Sequence, residues 1–191
     1  MQLIKPRKTN GGYTLIELLV VLVIVAALAA IAWPRFILAI ERSRAVATVA
    51  TMRKLQEALD DQILIGLNER HLDYMGGNEL GRQLLLTNID CKLDHEPPAD
   101  PRCYTDKFSY RVWCSELGCF ISVIRGSWAN DDYGLLLRKV LTDWNNYPIG
   151  VWDKECMAHS DLGYKICQSL GSSGWKLSDE RYKELIKNLN M

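Results

Sequence analysis

Six cysteines are the residues of this sequence best suited to covalent chemistry. All of them follow the long apolar block near the N-terminus. They are Cys91, Cys103, Cys114, Cys119, Cys156 and Cys167. An even number of cysteines confined to the part of a chain that would be exported favours a disulfide framework formed in an oxidising compartment. We predict bridges between the sequential pairs, although six cysteines admit many other pairings. Each bridge would stabilise a small core by about 2–4 kcal/mol.

Two short patterns could hold a metal ion, but each has a simpler interpretation. Cys156 and His159 have C-x-x-H spacing, yet no second close pair of ligands accompanies them, so we predict no zinc site. Asn130, Asp131 and Asp132 lack the spaced oxygen ligands of a calcium loop and are typical of a solvated turn.

The sequence contains no recognisable catalytic constellation. Its histidines, His71, His95 and His159, are scattered, and H-E-x-x-H, G-x-S-x-G and phosphate-binding glycine motifs are missing. Basic and acidic residues balance at 23 each, which gives no electrostatic footprint for nucleic acid, although nucleic acid is not excluded as a partner. We therefore predict a protein that is not an enzyme and needs no cofactor.

Glu17 stands at the edge of a segment that is otherwise apolar. Every residue from Leu18 to Trp33 is apolar, and with Leu15 and Ile16 the segment approaches the roughly 20 residues that cross a bilayer. Placing a carboxylate in a membrane segment is unfavourable in free energy unless the carboxylate is paired, so the presence of Glu17 indicates a function.

Two interpretations of the residues before this segment remain open. The positive charges of Lys5, Arg7 and Lys8 favour a single membrane-spanning helix whose N-terminal end stays in the cytoplasm. The small residues Ala30 and Ala32 before Trp33 would also suit cleavage of an ordinary signal peptide, which would leave a secreted soluble binding domain.

The string Gly12-Tyr13-Thr-Leu-Ile-Glu17-Leu-Leu-Val-Val resembles the prepilin processing motif of type IV pilins and type II secretion pseudopilins. The resemblance implies that a prepilin peptidase cuts after Gly12 and methylates the new amine of Tyr13. The family more often has Phe than Tyr at that first position. The ammonium of Tyr13 on a neighbouring copy would then pair with Glu17 and set the register of assembly, since an unpaired buried charge costs several kcal/mol.

The same resemblance implies a structural role. We expect a subunit of an extracellular type IV pilus that is stored in the inner membrane and polymerised into a helical homo-oligomer by the pilus assembly machinery, with no small-molecule substrate. A minor pilin or a type II secretion pseudopilin is the alternative within this class. Adhesion, motility, DNA uptake and secretion are equally compatible with the motif.

The predicted fold class is α+β, with a long N-terminal helix packed on a small antiparallel sheet stapled by disulfides, as in the pilin fold. We predict a leader over 1–12, a helix over 13–65 and a globular head over 66–191. Residues 13–36 would form the membrane or filament-core part of the helix. Pro34 should bend or locally unwind that helix.

Within the head, alternation and turn residues predict a hairpin closed by Cys114 and Cys119, followed by a third antiparallel strand. Short helices are predicted as well, the last of them amphipathic and capped by Ser178. The stretch after Thr142 is predicted to be loop-rich. The predicted strands are 108–114, 119–124 and 133–140, and the predicted helices are 78–86, 161–170 and 178–188.

Overall fold

The computed structural model describes residues 14–69, 74–93, 102–115, 118–126, 132–142 and 148–178. The chain forms two compact units, Met1–Ile40 and Glu41–Met191. The turn predicted at Asn130 and Asp131 and the final helix predicted after Ser178 lie outside the described residues.

Helix α1 runs from Leu15 to Glu69 without interruption. Pro34 lies inside it, so the local unwinding expected at this proline does not occur. The predicted end before Gly66 was also wrong, because the helix continues about one turn further. A single glycine within a helix costs only about 1 kcal/mol, which a long helix tolerates.

The strands form one sheet whose order across the sheet follows their order in the sequence. Neighbouring strands are antiparallel from β1 to β6, whereas β7 pairs with β6 in parallel. This confirms the predicted α+β class. The strands are β1 Lys92–Leu93, β2 Arg102–Tyr104, β3 Phe108–Ser115, β4 Gly118–Arg125, β5 Tyr133–Val140, β6 Trp152–Ala158 and β7 Lys176–Ser178.

The centre of the sheet agrees with the predicted meander. Strands β3 and β4 form the hairpin, and Cys114 lies directly opposite Cys119 in its register. Strand β5 occupies the predicted range and pairs with β4 along its whole length. The predicted loop-rich character after Thr142 was wrong for β6, which continues the antiparallel sheet.

Successive side chains of a strand point to opposite faces of the sheet. We call the face that carries Tyr110, Val112 and Leu135 the inner face, because Tyr110 forms hydrogen bonds with Thr48 and Thr51 of α1. The C-terminal half of α1 packs its apolar stripe on this face. Its buried apolar residues are Ala45, Val49, Met52, Leu55, Leu59 and Ile63.

Two further helices flank α1 on the inner face. Helix α2, Tyr74–Asn88, begins earlier than predicted, and it packs so closely on β3 that a side chain at Gly81 would lie 2.5 Å from a carbonyl oxygen. Helix α3, Asp161–Leu170, has the predicted bounds, and Ser160 caps it by accepting a hydrogen bond from the N–H of Gly163 at 3.0 Å.

Three disulfides staple the head. They join Cys91 to Cys103, Cys114 to Cys119 and Cys156 to Cys167, which are the sequential pairs. The described residues include no free cysteine, and the sulfur of Cys156 is therefore committed to a bridge rather than to a metal.

Candidate functional site

The first part of α1 presents an apolar surface with nothing packed against it. Its large apolar side chains are between 49% exposed at Val20 and 84% exposed at Leu15. Among the described residues, α1 is the one helix long and apolar enough to cross a membrane. An apolar surface of this extent needs a cover of lipid or protein, because soluble monomers rarely expose one.

Helix α1 begins with a capping box formed by Thr14 and Glu17. The hydroxyl of Thr14 accepts a hydrogen bond from the backbone N–H of Glu17 at 3.3 Å. In return, Oε2 of Glu17 accepts from the backbone N–H and the hydroxyl of Thr14, each at 2.8 Å. This arrangement satisfies two backbone donors that a helix N-terminus otherwise leaves unpaired.

The capping box also determines which part of the Glu17 carboxylate faces other molecules. Both hydrogen bonds from Thr14 end on Oε2. No donor in the described part of the chain reaches Oε1, so this oxygen is able to accept from a group outside the subunit. Gly12 and Tyr13, the predicted processing residues, lie outside the described residues, and Pro34 lies within α1.

A second acidic residue of α1, Glu41, attaches the helix to the sheet of the head. Only 5% of its side chain is exposed, and Arg125 of β4 donates two hydrogen bonds to it, from Nε to Oε2 and from Nη2 to Oε1, both at 2.9 Å. Arg44, one turn further along α1, also pairs with Oε1. Bidentate arginine–carboxylate pairs fix orientation as well as distance.

The ion pair shifts the ionisation of the groups around it. Hydrogen bonds from Arg125 hold the pKa of Glu41 below its ordinary value, although burial opposes the shift. Burial raises the pKa of the adjacent Tyr133, and the negative charge of Glu41 raises it further. Glu41 is therefore a carboxylate, and Tyr133 a neutral phenol, at neutral pH. The role of Glu41 was not predicted from the sequence; its signal there is an acidic residue four positions before Ala45 on the apolar stripe.

The head offers no arrangement that resembles a catalytic centre within the described residues. A groove of about 660 Å³ beside α1 is lined by Thr48, Thr51, Tyr110, Lys92 and Asp106 among others. Its described lining contains no histidine, and Cys91 there is bonded to Cys103. No group of three metal-ligating side chains occurs among the described residues.

The N-terminal segment matches a known family model. The model describes the prokaryotic N-terminal methylation motif and covers residues 7–33. This motif is the signature of type IV pilins and pseudopilins, and the chain carries it on a long apolar helix that precedes a disulfide-stapled α+β head. No curated protein and no solved structure matches the chain significantly. Motif and fold together support a type IV pilin-like or pseudopilin protein with a structural role, which fits a membrane-anchored precursor that prepilin peptidase processes before assembly.

Proposed function

We propose that this chain is the structural subunit of an extracellular type IV pilus. In this proposal the precursor is stored in the inner membrane and cut after Gly12. It is then polymerised through α1 without any catalytic activity of its own.

One observation carries the proposal: the apolar half of α1 is exposed on all sides and begins with a carboxylate whose second oxygen is available to a partner. In lipid, acyl chains cover this surface. In a filament, copies of the same surface would cover one another, so the apolar side chains stay out of water in both states. The polar groups at the start of the helix then decide which packing is favourable.

The proposed contact pairs Oε1 of Glu17 with the Tyr13 ammonium of an adjacent copy. A charged amine placed in an apolar bundle needs a countercharge, since leaving it unpaired costs several kcal/mol. The backbone N–H and the hydroxyl of Thr14 stay hydrogen-bonded to Oε2 and hold the carboxylate in one orientation on the helix. A shift of the neighbour by one turn would separate the two charges, so this pair selects one axial stagger.

Mass spectrometry of the mature protein tests the processing step. The expected chain begins at Tyr13 and carries one additional methyl group on its amine. A chain that begins at Trp33 would instead show signal-peptide cleavage and would remove the helix on which assembly depends. Electron microscopy of filaments sheared from cells, with their subunits identified by mass, separates a major pilin from a minor pilin or a pseudopilin by abundance.

Two substitutions at Glu17 separate its charge from its role in capping. Glu17→Gln keeps an acceptor for the Thr14 N–H but removes the charge, whereas Glu17→Leu removes both. We expect both variants to reach the membrane fraction at wild-type levels and both to lose filaments in the sheared fraction. Thr14→Ser keeps the hydroxyl and serves as a control that should assemble normally. Wild-type filament yield from Glu17→Gln would contradict the charge-pairing mechanism.

A further inference from the structure

The half of α1 that packs on the sheet also turns one face away from the head, which we call the outward face. Its residues recur at spacings of three and four, which places them on one side of the helix. The buried apolar stripe of α1 lies on the other side. The outward face consists of the exposed residues Val46, Ala50, Lys54, Glu57, Asp61 and Leu64.

The outward face is not uniformly polar. Val46 is 60% exposed and Leu64 is 64% exposed, and between them lie one basic and two acidic residues. A helix face that only meets water carries mostly polar residues, whereas protein interfaces combine apolar contacts with complementary charges. The composition of this face therefore favours packing against another protein chain.

The charged groups of the outward face are available to such a chain. Lys54, Glu57 and Asp61 form no ion pair with any described residue. The acidic residues of α1 that contact the head differ in this respect, because Glu41 and Asp60 are each bound by residues of the sheet. The charges on the head side are thus neutralised within the subunit, and those on the outward face are not.

A recess between α1 and α2 lies beside one of these charges. Its volume is about 370 Å³, and Asp61, Gln62 and Gln83 contribute to its lining. The described lining contains one carboxylate and no basic residue. An ammonium group has three donors and no acceptor, so carboxylate and amide oxygens suit it. The recess is therefore fit to receive a lysine side chain from another molecule.

The spacing of the charges selects one arrangement of two parallel copies. Without a shift, Lys54, Glu57 and Asp61 would each meet the same residue of the neighbour, and like charges facing each other are unfavourable. A shift of three or four residues would bring Glu57 to the level of Asp60 or Asp61. A shift of seven residues brings Lys54 to the level of Asp61 and Glu57 to the level of Leu64. This shift corresponds to about 10 Å at about 1.5 Å per residue.

We propose that the outward face packs against the outward faces of neighbouring parallel copies, shifted by about 10 Å, and that the Lys54 ammonium of one copy enters the recess beside Asp61 of the next. The inference rests on the proposed function, since subunits stored in one membrane point the same way and stay parallel in a filament. Each copy gives its Lys54 to one neighbour and its Asp61 to another, so the contact propagates. A subunit of a helical filament has neighbours at several shifts, and this pair need not involve the same neighbour as the pair of Glu17 and Tyr13.

A zero-length carbodiimide cross-linker tests the contact on the unaltered chain, because it joins a lysine amine only to a carboxylate in direct contact. Filaments sheared from cells and the full-length protein in lipid nanodiscs would be treated in parallel. Covalent dimers would then be digested and analysed by mass spectrometry. We expect dimers linked through Lys54 and Asp61 from filaments and none from nanodiscs. Within one helix these two residues are about 10 Å apart along the axis, which disfavours a link inside one chain.

Charge exchange tests the same pair during assembly. Lys54→Glu makes the charged part of the face entirely acidic and should lower the yield of sheared filaments at least about tenfold. Adding Asp61→Lys to this variant restores opposite charges and should recover most of the yield. Two controls should assemble normally: Lys54→Arg keeps the charge, and Lys165→Glu makes the same change of charge at an exposed position of α3.

Normal filament yield from Lys54→Glu, or wild-type filaments without a link between Lys54 and Asp61, would overturn the contact and leave the proposed function standing. A link from Lys54 to Glu57 between chains would overturn the shift of seven residues. A double variant as poor as Lys54→Glu, although present in the membrane fraction at the wild-type level, would overturn the charge pairing. A variant that fails to fold would be missing from that fraction, and the cross-link in wild-type filaments then decides the outcome. Absence of filaments from the wild type would overturn the proposed function, and the contact with it.

Discussion

Replacement of Glu41 by Gln should lower the stability of the head substantially. The substitution keeps the shape of the side chain but removes the charge to which Arg125 donates two hydrogen bonds at 2.9 Å. Breaking a buried ion pair by changing one partner costs about 3–5 kcal/mol. Because 18% of the Arg125 side chain is exposed and water recovers part of its hydration, we expect about 2–3 kcal/mol.

Thermal unfolding of the full-length protein in nanodiscs measures this loss. Near-UV circular dichroism reports the aromatic residues and disulfides of the head, while the membrane half of α1 contributes little to the signal. For a chain of this size, the expected loss corresponds to a decrease in Tm of about 5–10 °C. Arg44→Met removes the more exposed partner, whose side chain is 39% exposed, and should cost at most about 1 kcal/mol.

The effect of Glu41→Gln should depend on pH with a defined sign. The folded-state pKa of Glu41 lies below its ordinary value of 4.5, mainly because Arg125 donates hydrogen bonds to it. Its stabilisation is therefore fully present above about pH 4.5 and is lost as the pH falls through the folded pKa. The difference in Tm between the wild type and Glu41→Gln should shrink in acid. A difference that is the same at neutral and acidic pH, or that is missing at neutral pH, would refute this reasoning.

Two other substitutions test contacts elsewhere in the head. Asp60→Asn breaks the ion pair with Lys139. It keeps an oxygen acceptor for the indole N–H of Trp152, whose nitrogen lies 3.0 Å from both Asp60 oxygens. The substitution should therefore lower the free energy of unfolding by less than about 1 kcal/mol, and the loss should disappear in high salt. Thermal unfolding at low and high salt checks this, and a large, salt-independent loss would contradict it. Gly163→Ala would place a Cβ 1.9 Å from the carbonyl oxygen of Asp132 and should destabilise α3 by about 1–3 kcal/mol or more. Gly171→Ala is the control, because no atom lies within 4 Å of the added Cβ, and it should be neutral or slightly stabilising. Equal Tm values for the two alanine variants would disprove the close contact between Gly163 and the carbonyl oxygen of Asp132.

The elements that the sequence predicted correctly are those with a strong local signal. Alternating apolar residues and the short loop between Cys114 and Cys119 indicated the hairpin of β3 and β4, and the helix predicted over 161–170 has the bounds of α3. Strand β6 was missed because its outward residues Asp153 and Glu155 are charged, and its pairing with β5 outweighs the weak local preference.

Helix α2 was predicted too short for a related reason. The glycines at 76 and 77 suggested a break, but α2 starts at Tyr74 and packs closely on β3. Gly81 permits that close approach, since any side chain there would meet the backbone of Val112. Contacts between distant parts of the chain decided these boundaries, and they are not encoded in a local pattern.

The candidate site was partly predictable. The position of Glu17 in an apolar segment indicated that it needs a partner, and the T-x-x-E pattern that starts at Thr14 could have predicted the capping box as well. The role of Glu41 required the structure, because Arg125 is 84 residues away in the sequence.

The sequential disulfides have a consequence for how the head matures after export. The bridges join cysteines separated by 12, 5 and 11 residues, and the strands from β1 to β6 lie beside their sequence neighbours. If the head is exported as proposed, each pair of cysteines emerges before the cysteines that follow it, so the first partner available to each thiol is the correct one. Short loops close quickly, so the encounter between the two correct thiols does not limit the rate of bond formation. A thiol oxidase acting during secretion should suffice for this head, without an isomerase to reshuffle its bonds.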